Sequence, residues 1–345
     1  MVLIKGVLLL LLCLSCFTVF SLKAPKGMKA MGALADAAVA SFLVEAFQSY
    51  VGGDILNIPL LKEVGLASGG MGGAAAATLV PLALGVTPVY AVLIGCACAG
   101  LGILPGFIAG YVLSFIIPKI EKHVPDGLDL IVCIMFAAPL ARLIGNLASP
   151  VVDATLLNIG GIITIAADKS PILMGFILGG VITVVATAPL SSMALTAMLG
   201  LTGLPMAIGA LSVMGSSFMN FVFFDRMKFG DRSTTISVAI EPLTQADVIS
   251  ANPIPVYCTN FVGGGLAGII VALFNLTNNA PGTATPIAGL MVMYGFNDFK
   301  TTTIAAILCA LAGATAGFVG SIVFKNFKIK TVDELKALSD SKKAA

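Results

Sequence analysis

Charge is scarce in this sequence. Only 10% of its residues are Asp, Glu, Lys or Arg, and 58% are hydrophobic, with a mean hydropathy of +1.04. A soluble domain carries about 25% charged residues, so the composition excludes a soluble globular protein and implies an integral membrane one. Histidine is nearly absent: His123 is the single one, beside Lys122 and Asp126 in a short polar loop. No Ser-His-Asp set can be assembled, and little histidine chemistry is possible. Seven cysteines are scattered through apolar segments, an odd number with no CxxC pair near a histidine. That excludes a zinc site and argues against a disulfide framework. The glycine-rich SGGMGG stretch lacks the Lys-Ser/Thr that a phosphate loop needs. A net charge of +2 gives no reason to expect a nucleic-acid partner, and no fixed-period repeat is present. No metal or cofactor is expected.

What remains is long apolar chain. Val64 to Pro118, Ser170 to Phe224, Val248 to Asn297 and Thr301 to Phe324 contain no Asp, Glu, Lys or Arg. A spanning helix needs roughly 20 apolar residues, so an all-α polytopic fold of roughly nine or ten transmembrane helices is expected. Residues 1–26 read as an uncleaved hydrophobic helix, since no A-x-A cleavage site follows it. Residues 27–324 read as the transmembrane domain and 325–345 as a soluble tail. Lys23, Lys26 and Lys29, then Arg226, Lys228 and Arg232, then the tail lysines mark three cytoplasmic regions by the positive-inside rule. Asp36 and Glu45 interrupt the apolar pattern of Lys23–Asp54, which reads as amphipathic. Small residues four apart, at Gly106/Gly110, Gly175/Gly179, Gly264/Gly268 and Gly313/Gly317, suit close helix packing.

Two charge-free segments are too broken for clean spans. APLSSMALTAMLGLTGLP carries Pro189, Gly200, Gly203 and Pro205, and NNAPGTATPIAGLMVMYGFND is rich in Gly, Pro and Thr. Both read as re-entrant hairpins, which are tolerated at membrane depth only where protein or a water-filled cavity satisfies their backbone.

Between them lies AIEPLTQADVISANPIP, Ala239 to Pro255. An acidic residue at membrane depth costs about 2.5–3.5 kcal/mol on insertion scales, so Glu241 persists there only if paired, protonated or facing a cavity. Pro242 breaks the helix and exposes carbonyls, the arrangement with which many transporters bind substrate. The carboxylate could accept two sugar hydroxyls or act as a general base on one. The bland alternative is a solvated loop beside the basic FDRMKFGDR. Asp247 has the same two readings. Gln245 and Asn252 offer donors and acceptors suited to a polyol, and Asn252 could equally cap the helix that Pro253 starts. Arg142 could pair with Asp153 or with an anionic group, or snorkel to the interface.

EPLTQADVISANPIPVY resembles the glucose-superfamily enzyme IIC of the bacterial phosphotransferase system, with its EP pair, polar loop and asparagine-proline opening the next helix. KHVPDGLDLIVCIMFAAPLARL is similar to that family's VPDGVPP loop and following span, although Gly127-Leu128-Asp129 stand where prolines would be. From about Gly27 to Phe324 the chain more closely resembles the enzyme IIC-like family that includes the perfringolysin regulator PfoR, with ATAPLSSMALTAMLGLTGLPMAIGALSVMGSSFMN among the shared strings.

The resemblance implies a homodimeric, multi-pass carrier of the bacterial inner membrane, in contact with lipid, built from a fixed scaffold and a moving transport domain. It implies that two hairpins meet near a sugar or small polar metabolite. Glu241 would contact its hydroxyls as the tentative catalytic residue, with Gln245, Asp247, Asn252, Ser191, Ser192, Thr283 and Thr285 as further substrate contacts. No IIA or IIB domain is recognisable, and the phosphorylated cysteine of IIB sits in a soluble domain, unlike any cysteine here. Phosphorylation would therefore need separate IIB and IIA proteins, and the chain alone would not catalyse it. The two other functions that the resemblance leaves open are a proton-coupled secondary transporter and a membrane sensor of the PfoR type.

Overall fold

The computed structural model describes residues 2–125, 127–188, 191–335 and 337. These residues form helices joined by turns, with no strand among them. The chain is an all-α polytopic membrane protein. Among the described residues, seven helices are long and apolar enough to cross a membrane, or eight if one bent pair counts as a span. The figure of roughly nine or ten is reached only by adding Pro88–Ala97 and Pro171–Thr187, which are apolar but shorter.

Two compact units divide the chain. The first holds residues 5–162 and 193–201. Its helices are α1 (Val2–Lys23, in this unit from Lys5 onward), α2 (Gly27–Ile55), α3 (Pro59–Gly69), α4 (Gly72–Leu84), α5 (Pro88–Ala97), α6 (Ile103–His123) and most of α7 (Leu128–Lys169). The α2 segment is continuous but π-helical over Val39–Leu43 and Ala46–Ile55. Helices α3 and α4 make the bent pair, turning by 59° at Gly69-Gly70-Met71-Gly72, where three of four residues are glycine. Alanine and glycine let α2, α4 and α6 close on one core of Ala30, Leu34, Ala76, Val80 and Leu104, joined by Met193 and Met198. A Cβ at Gly106 would run into the carbonyl of Gly73, so α6 and α4 touch backbone to backbone. Arg142 forms no ion pair with Asp153 among the described residues. Its Nη1 donates to the carbonyls of Ala99 (2.6 Å) and Ala97 (3.4 Å) at the end of α5, which have no helical partners of their own. His123 is exposed and bonds to the Lys119 carbonyl of its own helix.

The second unit holds residues 163–192 and 202–345 with the first four residues. Its helices are α8 (Pro171–Thr187), α9 (Ser192–Met198, which passes into the first unit after Ser192), α10 (Gly203–Met227), α11 (Arg232–Ile240), α12 (Ala246–Ala251), α13 (Pro253–Leu273), α14 (Pro286–Met293) and α15 (Phe299–Val323). Glycine sets its packing. Gly175 and Gly179 of α8 face Gly268 and Gly264 of α13, and Gly313 and Gly317 of α15 face Gly215 and Met219 of α10. Three of the four small-residue pairs thus bring two backbones into contact, as does Gly106 in the first unit. With the backbones so close, Thr183 Oγ1 of α8 donates to the Asn260 carbonyl of α13 at 2.9 Å.

Candidate functional site

Helix α11 begins at Asp231, whose Oδ1 accepts from the Thr234 amide and hydroxyl, both at 2.8 Å. It ends after nine residues because Pro242 disfavours helical backbone in the residue before it. Glu241 is accordingly extended, at φ −147° and ψ 103°. Its amide still donates to Ser237, and its carbonyl accepts from the Thr244 amide (3.0 Å) and hydroxyl (2.8 Å). A 3-10 turn over Pro242–Gln245 then leads into α12, six residues long, and Asn252 precedes Pro253 at the first position of α13.

The depth of this break can be read from its neighbours. Ala239 and Ile240, just before Glu241, line a cavity of 650 Å³ with Met214 and Ser217. Those two residues lie near the middle of α10, a helix of 25 residues. Pro286 and Ile287, just after Thr285, line the same cavity. The chain just before the break therefore adjoins the second broken segment halfway along a spanning helix.

Both broken segments are present. Helix α8 stops at Thr187, and Ala188 is extended ahead of Pro189; Pro189 and Leu190 lie outside the described residues. Ser191 and Ser192 are buried. The second segment runs irregularly from Phe274 to Thr285 before the eight-residue α14. The two segments meet: Ser192 Oγ donates to the Ala284 carbonyl at 2.7 Å, buried from solvent. Thr283 and Thr285 flank that carbonyl and are themselves buried.

Asparagines organise the second segment. Asn278 is fully buried. Its Nδ2 donates to Thr283 Oγ1 (2.9 Å), its Oδ1 accepts from the Ala280 amide (2.9 Å), and its own amide donates to the Gly203 carbonyl (3.0 Å). Asn297 closes the base of the loop, accepting from the Thr277 amide at 2.8 Å and donating to the Thr277 carbonyl at 2.7 Å. Neither residue stood out in the sequence, although Asn278 lies in NNAPG and Asn297 in FND within a charge-free window. Beside Asn297, Asp298 caps α15 by accepting from the Thr301 amide and hydroxyl, both at 2.9 Å, and these bonds hold its carboxyl below the usual carboxylate range.

The residues expected to form one site fall into three places. Ser192, Thr283 and Thr285 lie together where the broken segments meet. Gln245 and Asp247 line a second, polar cavity of 470 Å³ with Asp231, Ser237 and Thr244. Asn252 is buried and fully engaged. Its Nδ2 donates to the carbonyls of Val248 and Lys330, and its Oδ1 accepts from the Lys330 amide, all at 2.8 Å. Its side chain thus binds the C-terminal segment of the chain. Glu241, half-buried, stands at the break itself, four residues ahead of Gln245. Among the described residues, no three His, Cys, Asp or Glu side chains are grouped to hold a metal ion.

A family model described as phosphotransferase system, EIIC, matches residues 28–337. The chain belongs to the phosphotransferase-system EIIC family. The comparison with curated proteins gives no match. The EIIC match takes in both broken segments, Glu241 and its turn, and the stretch through Lys330 and Leu335 that Asn252 holds. An EIIC chain is a membrane component of the phosphotransferase system, in accord with the apolar helices described above.

Proposed function

We propose that this EIIC chain is the sugar permease of a phosphoenolpyruvate-dependent phosphotransferase system. It binds a sugar between Glu241 and the tips of the two broken segments and exposes it for phosphorylation by a separate IIB, itself charged by IIA. The observation that carries the reading is the Ser192–Ala284 hydrogen bond, which joins the broken segments. The shared cavity wall of Ile240 and Pro286 adds to it by bringing the Glu241 break alongside. A carboxylate with neighbouring hydroxyl and amide groups matches the alternating donors and acceptors of a sugar ring. Helix ends at Pro242 and Pro286 leave backbone groups for the same ligand.

On this reading the second unit is the transport domain, since it holds all three groups of candidate residues, and the first unit is the scaffold of a homodimer in a bacterial inner membrane. Residues 1–26 are a retained membrane helix, 27–324 the carrier and 325–345 its cytoplasmic tail. The chain performs no phosphorylation by itself.

Ligand-dependent thermal stabilisation of the purified protein tests the site. A panel of sugars and small polar metabolites should yield at least one sugar that raises the melting temperature. Glu241→Gln should abolish that rise and leave the unliganded melting temperature within error of the parent. Full stabilisation of the Gln variant would remove Glu241 from the site.

A further inference from the structure

The segment that follows α15 does not hang free. Phe324, Ile329, Val332 and Leu335 pack on a buried cluster of Phe223, Phe229, Val238, Val248 and Ile249. The Val332 amide donates to the Phe229 carbonyl at 2.9 Å. Thr331 and Glu334 cap the short turn that starts there: the Thr331 amide donates to Glu334 Oε2 (3.0 Å), and the Glu334 amide donates to Thr331 Oγ1 (3.3 Å). Asn252 pairs with both polar groups of the Lys330 peptide, as a neighbouring strand would.

The partner of this docking is the segment that carries Glu241. Helices α11 and α12 have nine and six residues, and isolated helices shorter than about 12–15 residues are marginal in water. They need tertiary support. Val238 of α11 and Val248 and Ile249 of α12 find it in the same cluster, which Ile329, Val332 and Leu335 complete. Val332 and Leu335 also form part of the wall of the polar cavity that Gln245 and Asp247 line.

We infer that residues 324–335 are a strap, latched by Asn252, which sets the freedom of the α11–α12 segment to move. With the strap docked, the break at Glu241 is held in the geometry described here. With the strap released, α11 and α12 lose one side of their core, and the polar cavity loses one of its walls. Asn252 is the latch because its buried side chain makes two half-buried hydrogen bonds to Lys330, a polar tie between strap and segment. The inference goes beyond the transport reading and does not depend on it, because it concerns mobility and no ligand.

Hydrogen–deuterium exchange on the full-length protein in lipid nanodiscs tests it. Three proteins are compared: the parent chain, Asn252→Ala, and a chain lacking residues 328–345. In the parent, the Lys330 and Val332 amides should be protected. In both variants, exchange over residues 243–251 should accelerate roughly tenfold or more, the scale of one lost net hydrogen bond, while α13 exchanges as in the parent. If Asn252→Ala does not fold, the truncated chain carries the test. Unchanged exchange over 243–251 in the truncated chain would overturn the inference. So would unprotected Lys330 and Val332 amides in the parent, or acceleration spread equally through α13.

Discussion

Gly175→Ala measures how much the closest helix contact of the second unit contributes. A Cβ at this position would lie 2.6 Å from the Gly268 carbonyl oxygen, 3.0 Å from its carbon and 3.2 Å from the Ala272 Cβ. A relaxed carbon–oxygen contact is about 3.3 Å or more, so α8 and α13 must part by roughly 0.7 Å at this level. The neighbour is backbone, which cannot swing aside as a side chain would. Overpacking of this kind costs about 1–3 kcal/mol, offset by the gain of up to about 1 kcal/mol from removing glycine from a helix. The net expectation is destabilisation centred on about 1 kcal/mol, the middle of a range of about 0–2 kcal/mol. Gly161→Ala in α7 is the control, because a Cβ there meets nothing within 4 Å; only the propensity gain applies. Both variants would be unfolded reversibly by SDS in mixed micelles and compared with the parent by midpoint. If Gly175→Ala unfolds at the parent midpoint or later while Gly161→Ala behaves as expected, close backbone packing does not hold these two helices.

Ser192→Ala removes the bond to the Ala284 carbonyl; stability should fall by about 1 kcal/mol, and calorimetric titration should show weaker sugar binding with unchanged stoichiometry. Asn297→Ala leaves the amide and carbonyl of Thr277 without their partner. It should cost about 1–3 kcal/mol and accelerate hydrogen exchange over residues 277–297 before the rest of the unit. Asp298 has a carboxyl held below its ordinary value of 3.8. Its contribution is therefore fully present above that value and is lost as pH falls through the lowered native one. Asp298→Ala should show a shallower acid limb than the parent in a stability–pH series, and parallel limbs would show that the cap contributes nothing.

Much of the architecture could be read from local chemistry. The charge-free windows contain spanning helices, and small residues four apart mark where helices touch. Pro242 and Pro286 sit at helix boundaries because proline constrains its own backbone and its neighbour's whatever the surroundings. What could not be read depends on partners distant in sequence. Asn252 has the same composition cues as Gln245, yet its partner Lys330 is 78 residues away, and no local pattern announces the pairing. Arg142 likewise finds carbonyls 43 and 45 residues away rather than an acid. The π-helical register of Val39–Leu43 and Ala46–Ile55 leaves no mark either, since it shifts the hydrogen bonding without altering composition.

Phosphoenolpyruvate-driven sugar phosphorylation by membrane vesicles that contain this chain, supplied with the general phosphotransferase proteins and a cognate IIB, tests the central claim most directly. Sugar phosphate should form only when IIB and this chain are both present, and Glu241→Gln should lower its formation by at least about tenfold, the loss of one charge-assisted hydrogen bond. Accumulation of unmodified sugar that needs no IIB and collapses with a protonophore would contradict it.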